Sequence, residues 1–127
     1  MRDYVPFIDP RLYVTWREGL GHGVFSKGYI PKDTFVEIAP VIEFNSKDGA
    51  YGPIMDYTVA WNGNLGVGLG WTMLYNHSDR SNCAFSMNLY DGLLAILSTR
   101  DINAGEELTV DYGENWFSSR GKEKVQI

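Results

Sequence analysis

The sequence predicts a mainly β domain, on three observations. Its apolar residues come in short runs divided by Gly, Pro, Asn and Asp, the punctuation of strands and turns. No long segment sustains the apolar period of an amphipathic helix. An Asp91-Gly92 pair stands between two such runs, a tight-hairpin signal.

In chain order, β-branched and aromatic residues mark strands over Leu12–Trp16, Gly23–Ser26, Thr34–Ile38 and Val41–Phe44. Ile54–Trp61 is expected as a short helix and Trp71–Tyr75 as a single helical turn. Ala84–Leu89 and Leu93–Ser98 are the strands of the Asp91-Gly92 hairpin, and Leu108–Val110 is the last strand. Two segments share a pattern: FSKGYIPKDTFVEI from Phe25 and STRDINAGEELTVDYG from Ser98. Each has a polar lead-in, an isoleucine, a reverse turn and a strand.

With 127 residues, 44% hydrophobic and 21% charged, the chain is expected to form one ordered domain over residues 1–127. Its one cysteine, Cys83, excludes an intramolecular disulfide and the Cys-rich zinc clusters of many small domains. The beginning, MRDYVPFIDPRLYV, does not resemble a signal peptide, so the protein is expected to be intracellular and not secreted. Tyr57 to Ser78 contains no Asp, Glu, Lys or Arg and is long enough to span a bilayer. Its asparagines and its glycines at 63, 66, 68 and 70 make it a poor spanning helix, so a buried irregular segment and no membrane partner are expected. The net charge is −5, and −7 without the basic last ten residues. That balance repels a nucleic-acid backbone and suits a basic peptide or protein partner, although solubility alone would also explain it.

Most catalytic kits are missing. His22 and His77 lack zinc-site context, and no metal is expected. The glycines at 19, 21 and 23 do not make a dinucleotide cradle, and no Walker or GxSxG motif occurs. Cys83, beside a strand, reads as a small buried hydrophobe. Three clusters remain: Gly21-His22-Gly23; Asn76-His77-Ser78 with Asn82; and Glu107 through Gly113. Each alone reads as a turn or an edge strand. Asn76-His77-Ser78 also fits a glycosylation acceptor, which an unexported protein would not use.

In this order the clusters resemble the SET-domain family of protein lysine methyltransferases. Gly21-His22-Gly23-Val24-Phe25 is similar to its glycine motif, Asn76-His77-Ser78 with Asn82 to its NHSxxxN signature, and Glu106 to Gly113 to its terminal signature. The likeness covers about residues 12–117, leaving a short tail of 118–127. The chain resembles the minimal stand-alone members encoded by viruses, with a bacterial member as the competing origin; a viral enzyme would act in the host cell and on chromatin.

The resemblance implies several small β-sheets, short helical turns and a C-terminal pseudoknot that sets the NHS segment beside the DYG segment. It implies S-adenosyl-L-methionine as methyl donor and S-adenosyl-L-homocysteine as product. Gly21, His22, Gly23, Asn76, His77, Tyr112, Trp116 and Phe117 would form the cofactor site, with His77 acting as scaffold. Tyr112 and Tyr57 would be catalytic, and Tyr57, Val110 and Trp116 would line the substrate channel of a basic, histone-like partner. Two positions depart from the family pattern. Val110 stands where many members have an aromatic residue, and Phe117, preceded by Trp116, where many have Trp. With few residues to close the channel, exposed aromatics at the tail suggest a homodimer. The alternative function is a catalytically silent SET module that binds a basic peptide.

Overall fold

The computed structural model describes residues 4–45, 52–113 and 116–117. Along these the chain forms β1 (Phe7–Ile8), β2 (Leu12–Arg17), β3 (Gly21–Ser26), β4 (Phe35–Phe44), a 3₁₀ turn (Gly52–Tyr57), β5 (Val59–Trp61) and β6 (Asn64–Gly68). There follow β7 (Asn76–His77), β8 (Cys83–Asn88), β9 (Leu93–Ser98) and β10 (Glu107–Val110). The tail 118–127 lies outside the described residues. No helix among the described residues is long and apolar enough to cross a membrane.

The strands form two sheets. One runs β5-β6-β4-β9-β8, with β1 also paired to β4; the other runs β2-β3-β10-β7. The mainly β class expected from the sequence is the class observed. In the second sheet β10 pairs antiparallel with β3 and parallel with β7, with Thr109 opposite Asn76 and Val110 opposite His77. Segments far apart in sequence thus lie side by side, as expected for the NHS and DYG segments.

Several elements differ from their sequence-based expectations, each for a local reason. The two strands expected on either side of Pro40 are one strand, β4. Residues Phe35–Pro40 pair with β9 and Val41–Phe44 with β6, so the strand changes partner where proline has no N–H to offer. The Pro40 carbonyl accepts from Leu69 N at 3.0 Å. The helix expected over Ile54–Trp61 ends at Tyr57, and its last residues form β5. Asn62 and Gly63 there adopt φ of 48° and 78°, a two-residue primed turn that joins β5 to β6. The stretch expected to be irregular therefore begins with a hairpin. Trp71–Tyr75 is a pair of turns, with Thr72 N bonded to Leu69 O and Leu74 N to Trp71 O. The β8–β9 hairpin closes through a loop of 89–92, not a two-residue turn. Asn88 ends β8 by accepting from Asp91 N at 3.1 Å.

The core gathers Leu12, Val24, Ile30, Val36, Tyr75, Cys83, Ile96, Ile102, Leu108 and Val110. The two similar segments meet there. Ile30 and Ile102, the isoleucines of each pattern, are fully buried and exchange two backbone bonds of 2.8 Å. Cys83 is buried among them, and burial pushes its thiol up to about 12, so it stays a protonated apolar group.

A fully buried carboxylate lies in this interior. Glu37 is fully buried, with Oε2 accepting from Trp71 N at 2.7 Å and Oε1 from the Tyr75 hydroxyl at 2.8 Å. Gly70, at φ 63°, makes room for it, since a β-carbon there would collide with Oε2. Burial raises the Glu37 carboxyl above its ordinary value, and the two hydrogen bonds oppose that shift.

Candidate active site

Asn76, half-buried, and His77, buried, are held on β7, a two-residue strand bonded directly to β10. Their backbone path is set by pairing with Thr109 and Val110 and by Ser78 N donating to Val110 O at 3.0 Å. Asn82 holds the same strand from the other side. Its Oδ1 accepts from Thr109 N at 2.9 Å and its Nδ2 donates to Glu107 O at 2.8 Å. The side chain, 2% exposed, acts as a short piece of strand backbone.

His77 joins the two motifs that its neighbours bring together. Tyr112 N–H donates to His77 Nδ1 at 3.0 Å across 35 positions of sequence, so Nδ1 is the acceptor nitrogen. Nε2 then carries the hydrogen and donates to Asp79 Oδ1 at 2.7 Å. His77, Asp79 and Asp111 hold possible ligand atoms within 4.8 Å of one another, yet both imidazole nitrogens already serve the protein's own bonds. The ring is a structural bridge between the NHS and DYG segments.

Tyr112 leaves β10 and turns its hydroxyl to Tyr75, donating to the Tyr75 carbonyl at 2.7 Å. Burial first, then the nearby Tyr57 and Glu107, push its phenol up to about 12. It therefore keeps its proton near neutral pH and is suited to orient a group, not to take a proton from it. Aromatic rings surround it: Trp116 at 4.7 Å and Phe117 at 5.9 Å between centroids, with Phe117 edge-on to His77 at 4.8 Å.

Two cavities meet at Tyr112. The larger, about 570 Å³, is lined by the turn of Gly19 to His22, by Asn76 and His77, and by Tyr57 and Phe117. The smaller, about 350 Å³, is mostly apolar and includes Met55, Met87, Phe85 and Tyr75, with Asp56, Thr58 and Thr72 as polar members. Asp56, Met73, Tyr112 and Trp116 line both. Three of the chain's four methionines border the smaller cavity, a soft, unbranched lining.

The structure thus brings Gly21, His22, Asn76, His77, Tyr57, Tyr112, Trp116 and Phe117 to one cleft. Gly23 lies just beneath it. A β-carbon at Gly23 would come within 2.7 Å of Glu107 Oε2 and 3.0 Å of Asn76 Nδ2, so glycine permits that approach. Tyr57, at 45% exposure, lines the larger cavity, not the smaller one. Val110, expected on the channel, borders neither cavity. It is fully buried, pointing into the core from the strand face opposite Thr109. The tail aromatics, expected to be exposed, are packed within the single chain: Phe117 is 7% exposed and Trp116 half-buried. Arg17, Asp56 and Met73 are site residues that sequence reading did not single out, and Glu107 was marked only as part of a cluster, without a role of its own. Glu107 sat within the terminal signature, but strand alternation alone does not tell a buried acid from a solvated one.

Comparison with known proteins gives a consistent picture. The family model "SET domain" matches residues 21–113. The chain is similar to the histone-lysine N-methyltransferase, H3 lysine-37 specific, of Schizosaccharomyces pombe, 30% identical over 97% of this chain and 88% of that protein. It is 36% identical to the histone-lysine N-methyltransferase SET9 of Phaeosphaeria nodorum over 43% of this chain, which is 8% of that protein. A crystal structure from Plasmodium falciparum, assigned as a histone methyltransferase, superposes with TM-score 0.73 at 24% identity. The match covers 87% of this chain and 99% of that one, so the two share a fold.

Proposed function

The chain belongs to the SET-domain family of protein-lysine N-methyltransferases, and from that premise we propose its cofactor and substrate. It uses S-adenosyl-L-methionine and methylates a lysine in a basic, histone-like protein segment. The observation that carries this reading is that two unlike cavities share Tyr112 as a lining residue.

The larger cleft fits the cofactor. Its volume suits a nucleoside with an amino-acid arm. Gly19 and Gly21, at φ 81° and 74°, are so open that a β-carbon added at either would meet nothing within 4 Å, and their backbone lies accessible to a ligand. Both N–H groups of Asn76 are used within the protein, and its Oδ1 is left as an acceptor. Phe117 and His77 supply an aromatic corner for the adenine, and Trp116 closes the junction between the cavities. When bound, the cofactor supplies an electrophilic methyl on a sulfonium.

The smaller cavity fits the aliphatic stem of a lysine, whose amine would arrive beside Tyr112. A lysine amine has a pKa near about 10.4 in water and must lose a proton before it can attack. The mostly apolar lining disfavours the ammonium and so assists that loss, against the opposing pull of the Asp56 carboxylate on the same cavity. Tyr112, fixed by the Tyr75 carbonyl and by His77 through its backbone, holds the amine in line. The net charge of −5 favours a basic substrate segment.

The test is incubation with methyl-labelled S-adenosyl-L-methionine and core histones. Labelled lysine in a histone is expected. Calorimetry showing that S-adenosyl-L-homocysteine does not bind the folded protein would overturn the cofactor assignment, and binding without any transfer would favour a silent module.

A further inference from the structure

Three strands of the second sheet send polar side chains to one point beneath the larger cleft. Arg17, at the end of β2, pairs with Glu107 Oε1. Glu107, from β10, keeps a side chain only 6% exposed and accepts from Asn76 Nδ2 at 2.8 Å through Oε2. Asn76 Nδ2 also donates to the His22 carbonyl at 3.0 Å. The carboxylate and the carbonyl are acceptors only, so the NH₂ end of the amide must face them. Its Oδ1 has no partner among the described residues and is the end left to a ligand.

We propose that Glu107, anchored by Arg17, is a positioning residue that fixes the orientation of the Asn76 amide and thereby makes the cleft select a ligand with a protonated amine. Resting on the cofactor reading above, the proposal adds why that ligand's amino group is recognised: reversing the amide would turn an NH₂ donor toward an ammonium. Gly23 belongs to the same device, because any side chain there would separate Glu107 from Asn76. The carboxylate does not touch the cofactor; it acts through Asn76.

Glu107→Gln tests this, since it keeps shape and packing but replaces one acceptor oxygen by an NH₂ group. With Arg17 holding the remaining oxygen, that group faces Asn76 and opposes its NH₂, so the amide loses one of its two anchors and only the His22 carbonyl still orients it. Calorimetry would measure binding of S-adenosyl-L-homocysteine and of its analogue with hydrogen in place of the α-amino group. In wild type the amino group should be worth about tenfold in affinity. In Glu107→Gln the advantage should fall to about twofold or less, with the deaminated analogue binding as it does to wild type. Arg17→Gln, which loosens the anchor, should show a smaller loss of the same advantage. The proposal is overturned if folded Glu107→Gln retains the full advantage, or if both ligands weaken equally, the signature of a general structural defect. Wild type that binds neither ligand would overturn the cofactor reading itself, and a wild type that binds both equally would overturn only the role given to Asn76.

Discussion

Tyr112 lines both cavities with its hydroxyl on the Tyr75 carbonyl, and its neighbours allow that one group to be tested alone. Tyr112→Phe keeps the ring against Trp116 and Phe117 and keeps the backbone bond to His77. It removes only the hydroxyl and its bond to the Tyr75 carbonyl. An interaction made chiefly in the transition state should then be lost, lowering kcat by about 10²–10³ while cofactor affinity stays near wild type. Turnover above about a third of wild type, a loss under roughly 0.7 kcal/mol, would make Tyr112 a packing residue. Glu37 offers a second test at this scale. Its carboxyl is raised in the folded state, chiefly by burial, so folding is favoured by the protonated form. That contribution is present below the ordinary glutamate value of 4.5 and is lost as pH rises toward the folded value. Glu37→Gln mimics the neutral acid, accepting from Trp71 N and donating to the Tyr75 oxygen. Thermal unfolding from pH 4.5 to 8 should show a smaller decline in stability for Glu37→Gln than for wild type. Parallel curves would mean that Glu37 ionises in the fold at no added cost.

At the level of elements, β10 is the strand on which the site is built, and it has few residues with which to hold itself. It is bonded to β3 and to β7, and the Asn82 side chain clips its backbone at Glu107 and Thr109. Asn82→Ala would leave Thr109 N–H and Glu107 C=O without that partner in a buried place. The cost should be on the order of 3 kcal/mol in unfolding free energy. Because Glu107 and Tyr112 flank this segment, cofactor affinity should fall as well. Chemical denaturation checks the first expectation and calorimetry on the folded fraction the second. A loss below about 0.5 kcal/mol would show that water or a shifted strand satisfies both groups. The same scale explains why Pro40 is tolerated inside β4. It stands where one partner strand gives way to the other.

For the whole molecule, the basic substrate proposed above would make charge matter more to the encounter than to the chemistry. A body at −5 that acts on a basic segment should gain attraction that salt screens. Raising salt from about 50 to 300 mM should increase KM for a histone peptide severalfold and leave kcat nearly unchanged, because the Debye length shortens while the buried site is little affected. Steady-state kinetics across that range decides it. A fall in kcat with constant KM would place the salt effect on the catalytic step.

Much of this protein was legible in its residues taken locally. Turn residues and alternating apolar runs sufficed for β2, β8, β9 and most of β4, and the order of the Gly21, Asn76 and Glu106 clusters identified the family. The Asn62-Gly63 turn was equally local, and its hairpin was readable from the same signal as Asp91-Gly92. What the sequence could not determine are relations that no period or turn connects. Arg17, Asn76 and Glu107 meet only because β3 lies between β2 and β10, and β7 runs parallel beside β10. The orientation of one amide, the burial of Val110 away from both cavities and the packing of Phe117 on His77 all follow from that path. Hydrogen-bond and packing partners across a sheet are chosen by where distant strands come to rest. The residues carried the chemistry, and the strand order placed it.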